Sequence, residues 1–256
     1  MYNTNEFTRD MNILNKALHD SIISEEATSI AKDFSEVALD SILKDGLLKE
    51  IPIIGTLISL GKILTSLKDR QTIKKIVIFL SKLKDIPIKD RKDFASHMDD
   101  NDQFSESTSE KVLLLLERID ETSKAEIIGN LFKLYILNII DKNDFMRFAN
   151  IVERAYYQDL LSLSTKSNYF KSPVDVTYHG YHVTGALMAF GLYDQIIENK
   201  PSVSARATGL LNSGITEPDL NWKLNPQGQL LANIMFYDMK DIDFIDYIND
   251  LKSDNS

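Results

Sequence analysis

The sequence predicts a mainly α protein, in which an N-terminal helical bundle precedes a smaller α+β domain with winged-helix-like element order. Three observations support this fold class. Apolar residues recur with the 3.6-residue period of amphipathic helices through most of the chain before Leu163. Ser residues followed three positions later by Glu mark helix starts within that part. Beyond Leu163, glycines, prolines and a strand-like alternation become frequent, which indicates a second domain.

The same observations divide the chain into four parts. We expect residues 1–24 to be a flexible N-terminal segment and residues 25–163 to form the helical bundle. Residues 164–237 form the winged-helix-like domain, and residues 238–256 form an acidic tail or terminal helix with six Asp against two Lys. With 256 residues, of which 43% are hydrophobic, the chain is long enough to bury the core that such a bundle needs.

The bundle begins with an amphipathic helix predicted from Glu25 to Leu48, with Ser24 at its start. Pro52 favours a break after it, because proline lacks an N–H donor and restricts the preceding residue. A very apolar helix follows from about Ile53, within the segment Ile51–Leu67. This segment is the most apolar in the chain.

The remaining bundle helices are predicted from their starts and stops. Ser107 with Glu110 and Ser123 with Glu126 have capping-box spacing, in which side chains and backbone satisfy each other's unpaired donors. These two capping boxes predict the helices that carry Val112–Leu116 and Ile127–Ile139. We also predict a basic helix between residues 70 and 87, an acidic loop at Asp99–Ser109 and a further helix from near Asp141.

The C-terminal part has the order helix, helix, strand pair, helix, which is typical of a winged helix. Tyr181–Ile197 and Ser202–Leu211 are the predicted first two helices, and Leu220–Leu224 alternates like a half-buried strand. Asn225-Pro226 supplies an N-cap and a first-turn proline for a helix through Met235.

Charge is distributed unevenly along the chain. The net charge is -9, yet Lys44–Lys92 holds 12 Lys/Arg against 5 Asp/Glu, and Ile51–Leu67 lies inside this basic part. A buried core helix explains the apolar segment, and so does a conditional membrane element, although its roughly 17 residues fall short of the roughly 20 that span a bilayer.

An apolar patch of this size must be covered in the resting protein. We expect its cover to be the helices of Val112–Leu116 and Ile127–Ile139, with Lys62 pointing outward.

One candidate site follows from this pattern, a basic apolar helical hairpin that engages a membrane or a partner protein. Basic residues near an anionic leaflet contribute about 1 kcal/mol each to such binding. The candidate residues are Ile53, Ile54, Leu57, Leu60, Lys62, Lys68, Arg70, Lys74 and Lys75.

No catalytic, cofactor-binding or metal-binding residues are nominated. The chain has no Cys, which removes thiolate chemistry. Gly55 to Lys62 departs from a phosphate loop, because five residues rather than four separate its glycines and Ile63 follows the Lys where Ser or Thr is needed. His179 and His182 lack the further ligands that zinc requires. We expect a non-enzymatic protein without a cofactor.

The expected partners follow from charge. An acidic chain repels phosphates, and the predicted helix Ser202–Leu211 offers only Arg206, so we do not expect nucleic acid binding. We expect a protein partner or self-association, with an anionic membrane surface as a further candidate. The first ten residues lack the features of a secretory signal, so we expect a cytoplasmic protein that associates with membranes only when triggered.

Three stretches carry a resemblance to a known family. They are LLKEIPIIGTLISLGK, KKIVIFLSKLKDIPIKDRKDF and KAEIIGNLFKLYILNIIDKNDFMRFANIVERAYYQDLLSL, followed by a strand and an Asn-Pro-x-Gly piece. From Phe34 to Ile234, the pattern and order of the predicted helices resemble those of bacterial and prophage-borne proteins similar to the abortive-infection alpha proteins. The resemblance implies a part in phage defence, and no functional residue is carried over from it. The alternative is a soluble interaction or regulatory protein that uses the winged-helix-like domain.

Overall fold

The computed structural model describes residues 4–35, 46–61, 67–98, 107–163, 187–201 and 216–236. The described residues are mainly helical, as predicted. The chain divides into two compact units, Met1–Arg154 and Ala155–Ser256, so the boundary lies nine residues before the predicted one. Residues 99–106 of the predicted loop Asp99–Ser109, residues 181–186 of the predicted helix Tyr181–Ile197 and the acidic tail lie outside the described residues. Thr108 and Ser109, at the end of the predicted loop, belong to a helix.

Eight α-helices and one 3-10 turn make up the described part of the first unit. They are α1 (Thr4–Ile23), α2 (Glu25–Phe34), the 3-10 turn Gly46–Glu50, α3 (Pro52–Ser59), α4 (Leu67–Ser81), α5 (Ile88–His97), α6 (Thr108–Arg118), α7 (Thr122–Ile136) and α8 (Lys142–Arg154).

Local signals set most of the helix starts. The Ser24 side chain accepts a hydrogen bond from the backbone N–H of Ala27, and the Ser107 side chain accepts one from Glu110, so both predicted caps are confirmed. Helix α7 starts one residue before the predicted cap Ser123, and Glu121 occupies its N-cap position without a side-chain bond.

The core of the first unit lies around α4 and α7, which pack together, with α2 also against α4 and α8 also against α7. Phe132 of α7 is fully buried and its ring contacts those of Phe79, Phe94, Tyr135 and Phe145 at centroid distances of 5.2 to 6.0 Å. The predicted burial of the α6 and α7 apolar faces is confirmed. Leu115, Ile128 and Leu131, which lie on these faces, are all buried.

The prediction of a flexible segment at residues 1–24 is wrong for the part that the structure describes. Thr4–Ile23 is a helix of 20 residues, and its side chains Leu14, Leu18 and Ile22 are buried. These residues recur every four positions, so they lie on one face, and that helix packs against α3, α5 and α6. Burial of this face stabilises the helix. It was not predicted because the sequence has no obvious N-cap at its start.

The predicted helix from Glu25 to Leu48 is shorter in the structure. Helix α2 ends at Phe34, residues 36–45 lie outside the described residues, and the 3-10 turn occupies Gly46–Glu50. Helix α3 begins at Pro52, one residue before the predicted start, and ends at Ser59. Gly61 follows with a φ of 67°, a left-handed conformation that glycine adopts without strain.

The second unit contains α9 (Tyr157–Leu161), β1 (Tyr193–Pro201), β2 (Thr216–Leu224) and α10 (Pro226–Phe236). The strands β1 and β2 pair antiparallel from Tyr193 opposite Leu224 to Pro201 opposite Thr216. The predicted strand and final helix are confirmed, whereas the predicted helix to Ile197 is wrong in its last residues, which belong to β1. The predicted helix Ser202–Leu211 lies outside the described residues.

Candidate functional site

Helix α3 is anchored in the first unit through the residues at its start. Ile51, Ile53 and Ile54 are fully buried. The Ser21 hydroxyl of α1 accepts a hydrogen bond of 2.9 Å from the backbone N–H of Ile53 and donates one of 2.8 Å to the Ala17 carbonyl. One of the unpaired donors at the start of α3 is thereby satisfied by a neighbouring helix.

The cover of α3 differs from our expectation. Helix α3 packs mainly against α1 and the 3-10 turn, whereas α6 and α7 have their main partners elsewhere. For the described part of the apolar segment, residues 51–61, the prediction that Val112–Leu116 and Ile127–Ile139 cover it is therefore wrong. Those two faces are filled by α4, α8 and α1 instead. The helices α3 and α4 likewise pack on different partners, so they do not form a tightly packed hairpin.

Gly55 brings α3 close to the 3-10 turn. A β-carbon placed on Gly55 would lie 2.5 Å from the backbone carbonyl oxygen of Lys49, well inside van der Waals contact. Only glycine therefore allows the two backbones to approach this closely.

The far side of α3 keeps part of its apolar surface in contact with solvent. Leu57, Ile58 and Leu60 are half-buried, and Leu47 of the packed 3-10 turn is 44% exposed. We call these four residues the α3 edge. Leu57 and Leu60 were candidate site residues, and they remain accessible in this conformation. Ile53 and Ile54 were also candidates, but they are buried.

Among the basic candidates, Lys74 and Lys75 bind the ends of other helices. The Lys74 ammonium donates to the carbonyls of Phe34, at 3.3 Å, and Ser35, at 2.6 Å, where α2 ends. The Lys75 ammonium donates to the carbonyls of Glu117 and Ile119, where α6 ends, and its side chain is only 4% exposed. Burial lowers the pKa of Lys74.

Of the other three basic candidates, the structure describes only Arg70 in full. Arg70 is half-buried in the first turns of α4. Lys68 lies in the first turn of the same helix, with its side chain outside the described residues, and Lys62 lies outside them altogether. The expectation that Lys62 points outward therefore stays a prediction.

Two further buried cations bind helix ends in the same way. Arg91 is 2% exposed and donates from Nη1 to the carbonyls of Ile22, at 2.9 Å, and Ser24, at 3.2 Å, where α1 ends. Burial lowers the pKa of Arg91, and the nearby Glu25 carboxylate raises it. Lys124 is fully buried and donates to the Glu153 carbonyl, at 3.2 Å, near the end of α8.

These four cations share one physical role. The last carbonyls of a helix have no intrahelical donors and carry the negative end of the helix dipole, so a buried ammonium or guanidinium both satisfies and neutralises them. Part of the positive charge in Lys44–Lys92 therefore holds the bundle together.

Sequence reasoning missed Ser21, Arg91 and Lys124 as structural contacts. The available signal was a polar residue on an otherwise apolar helix face, such as Ser21 between Leu18 and Ile22.

Asp120, at the α6–α7 junction, pairs with one of these cations. The Asp120 carboxylate accepts a hydrogen bond of 2.6 Å from Lys124. Partial burial raises the pKa of Asp120, but the hydrogen bond and charge of Lys124, with help from backbone N–H groups, lower it further, so the net shift is downward.

Within the described ranges, no three or more His, Asp or Glu side chains are grouped so that they could hold a metal ion. None of the helices in those ranges is both long and apolar enough to cross a membrane. His179 and His182 lie outside the described residues. The first unit is thus a helical bundle with a partly exposed apolar edge. No protein-family model, curated protein or solved structure matches the chain.

Proposed function

We propose that the chain is a non-enzymatic bacterial phage-defence protein, of the abortive-infection-like kind, that acts by engaging a partner surface through the α3 edge. The observation that carries this proposal is the partial exposure of Leu57 and Ile58 on α3 and of Leu60 at its C-cap, together with the 44% exposure of Leu47 on the 3-10 turn that packs against α3. Exposed apolar side chains on one element favour an interaction surface. The resemblance of Phe34–Ile234 to abortive-infection alpha proteins supplies the defence context.

The energetics favour engagement of the edge without release of α3. Moving α3 out of the unit would expose Ile51, Ile53 and Ile54, at about 1.5–3 kcal/mol for each side chain. The sum, roughly 5–9 kcal/mol, is comparable to the whole stability of a typical domain. Membrane insertion of the released segment therefore needs a trigger that contributes a similar free energy, whereas binding at the edge needs none.

The basic candidates contribute differently to this proposal. Lys74 and Lys75 already bind helix ends, so we assign the attraction to an anionic leaflet to Lys62 and Lys68, the candidates that flank α3 and begin α4 in the sequence. Each contributes about 1 kcal/mol near an anionic surface. Lys62→Glu should therefore leave the melting temperature unchanged and weaken association with anionic vesicles.

The decisive experiment compares two matched substitutions in the full chain. Ile58→Asp places a charge on the α3 edge, and Ile13→Asp places the same charge on α1, where Ile13 is 38% exposed. We expect both variants to fold, because both sites face solvent in part. Ile58→Asp should abolish growth arrest on overexpression and binding to vesicles or to a captured partner, and Ile13→Asp should retain both.

The proposal fails if Ile58→Asp behaves like the parent in growth arrest and in flotation with anionic and neutral vesicles, with and without phage challenge. It also fails if both variants lose activity equally while folded, because the effect would then be a general response to surface charge. Melting temperatures of both variants are measured alongside, so that a loss of fold is recognised.

The second candidate is a soluble interaction or regulatory protein that uses a winged-helix-like second unit. The nine-residue antiparallel pairing of β1 with β2, followed by α10, supports this alternative. Asn225 caps α10 by accepting a hydrogen bond of 3.0 Å from the Gly228 N–H. Loss of partner binding in Gln195→Lys, at an exposed strand position, with no effect of Ile58→Asp, would favour this function over the first.

A further inference from the structure

A cleft lies in the first unit, between α5 and the C-terminal end of α7. Its volume is about 500 Å3, within the range of small-molecule sites. Carboxylates, aromatic rings and aliphatic side chains line it together. The lining residues that the argument uses are Asp90, Asp93, Phe94, Tyr135, Leu137 and Asn138.

Helix α5 presents its acidic and aromatic residues to the cleft from one face. Asp90, Asp93 and Phe94 are spaced by three and four positions, which places them side by side on a helix. Asp93 is exposed and Asp90 is half-buried. None of the ion pairs within the described ranges includes either carboxylate. His97 also lines the cleft, so the two carboxylates give it a net negative charge when that imidazole is neutral.

The opposite wall is the end of α7, which adds to the negative potential. Leu137 donates its N–H to the Lys133 carbonyl, and Asn138 turns the chain with a φ of 53°. The C-terminal end of a helix carries the negative end of its dipole. Carboxylates and this helix end therefore act on the cleft with the same sign.

The aromatic residues of the two walls pack against each other. Phe94 meets Tyr135 edge to face at 4.7 Å, and Tyr135 stacks on Phe145 at 5.5 Å with an interplanar angle of 12°. Phe94 and Tyr135 thus give the cleft an apolar surface whose rings pack against each other. Aromatic rings also attract cations through their electron-rich faces.

We propose that this cleft binds an organic cation, a guanidinium or ammonium group on a short aliphatic stem. The cationic group would lie between Asp90 and Asp93 near the end of α7, and the stem would lie along Phe94 and Leu137. Anions are disfavoured, because the lining charges and the helix end repel them. This site is separate from the α3 edge and does not depend on the function proposed for that edge.

Two probes that differ only in charge test the proposal on the unmodified protein. Butylguanidinium and butylurea have the same shape and stem, but only the first is a cation. We expect butylguanidinium to shift the amide NMR signals of Phe94, Leu137 and Asn138 saturably, and butylurea to bind at least tenfold more weakly. Equal binding of the two probes, no saturable binding, or shifts located elsewhere would overturn the proposal.

Charge-removing substitutions then locate the site. Asp90→Asn and Asp93→Asn keep shape and remove one charge each, and Asp33→Asn on α2 is the matched control, since Asp33 is exposed and does not line the cleft. We expect each cleft substitution to weaken butylguanidinium binding about fivefold, as for the loss of one partly exposed ion pair, and the control to be without effect. Parent-like affinity in both cleft variants would refute the assignment.

The source of the cation is decided by a third comparison. Agmatine represents a free metabolite, and acetyl-Gly-Arg-Gly-amide represents an arginine side chain of a partner. Tighter binding of agmatine assigns the cleft to a small amine, and tighter binding of the peptide assigns it to a basic protein segment. Failure of both, at concentrations where butylguanidinium binds, would count against a biological cation of this class.

Discussion

Gly55→Ala gives the sharpest test of how α3 is held. In a helix, alanine is favoured over glycine by about 1 kcal/mol, so propensity alone predicts a more stable protein. In the structure, however, the new β-carbon would lie 2.5 Å from the Lys49 carbonyl oxygen. Because that oxygen belongs to the backbone, it cannot move aside as the end of a flexible side chain can. Either α3 or the 3-10 turn must shift.

The magnitude follows from these two opposing effects. Overpacking against a backbone atom costs about 3 kcal/mol, and the gain in helix propensity offsets about 1 kcal/mol, so we expect a net loss of about 2 kcal/mol. For a chain of this size, such a loss lowers the melting temperature by about 4–8 °C. Circular dichroism at 222 nm during heating measures it directly.

Gly46→Ala is the matched control, because a β-carbon there meets nothing within 4 Å. It should change the stability by less than about 0.5 kcal/mol. A Gly55→Ala variant that melts at or above the parent temperature, alongside an unchanged Gly46→Ala, would show that the close approach of α3 to the 3-10 turn is not present in solution.

Three further predictions concern the core and its charges. Phe132→Asp removes a fully buried ring and buries a charge at a cost of several kcal/mol, so circular dichroism should show the first unit unfolded, and cooperative melting at the parent temperature would contradict it. Gly129→Ala brings a β-carbon within 2.9 Å of the Lys82 side chain, so the melting temperature should fall by a few degrees, and a rise would refute the α4–α7 packing. The pKa of Asp120 is lowered in the folded protein by Lys124, so its stabilising effect is present above the unfolded pKa of about 3.9 and is lost as the pH falls through the folded value. Asp120→Asn should therefore show a smaller loss of melting temperature between pH 5 and pH 3 than the parent, and identical pH profiles would exclude the pair.

Sequence periodicity was enough to place most of the bundle helices. The caps Ser24 and Ser107, and the apolar faces around Leu115 and Ile128, are where the spacing predicts them, because they rest on contacts between residues three or four positions apart. Such contacts depend on the local chain alone. The strand at Leu220–Leu224 and the helix after Asn225-Pro226 were predicted for the same reason.

The partners of each helix could not be predicted in this way. Periodicity shows that α3 has an apolar face, but it does not show that α1 covers it, because the contact between Ser21 and Ile53 spans 32 positions. The same limit explains why residues 1–24 were expected to be flexible. The sequence does not show which helices pack against the apolar face of this segment, and an isolated helix without such packing is only marginally stable.

The sequence by itself determined that the chain is mainly helical, where several of its helices begin, and that positive charge is concentrated in Lys44–Lys92. Only the tertiary structure decided how that charge is used. Lys74, Lys75 and Arg91 lie in the basic segment, and each binds the carbonyl end of a helix that is distant in sequence. A helix end exposes its unpaired carbonyls wherever it stops, and which cation reaches them depends on how the helices cross in space.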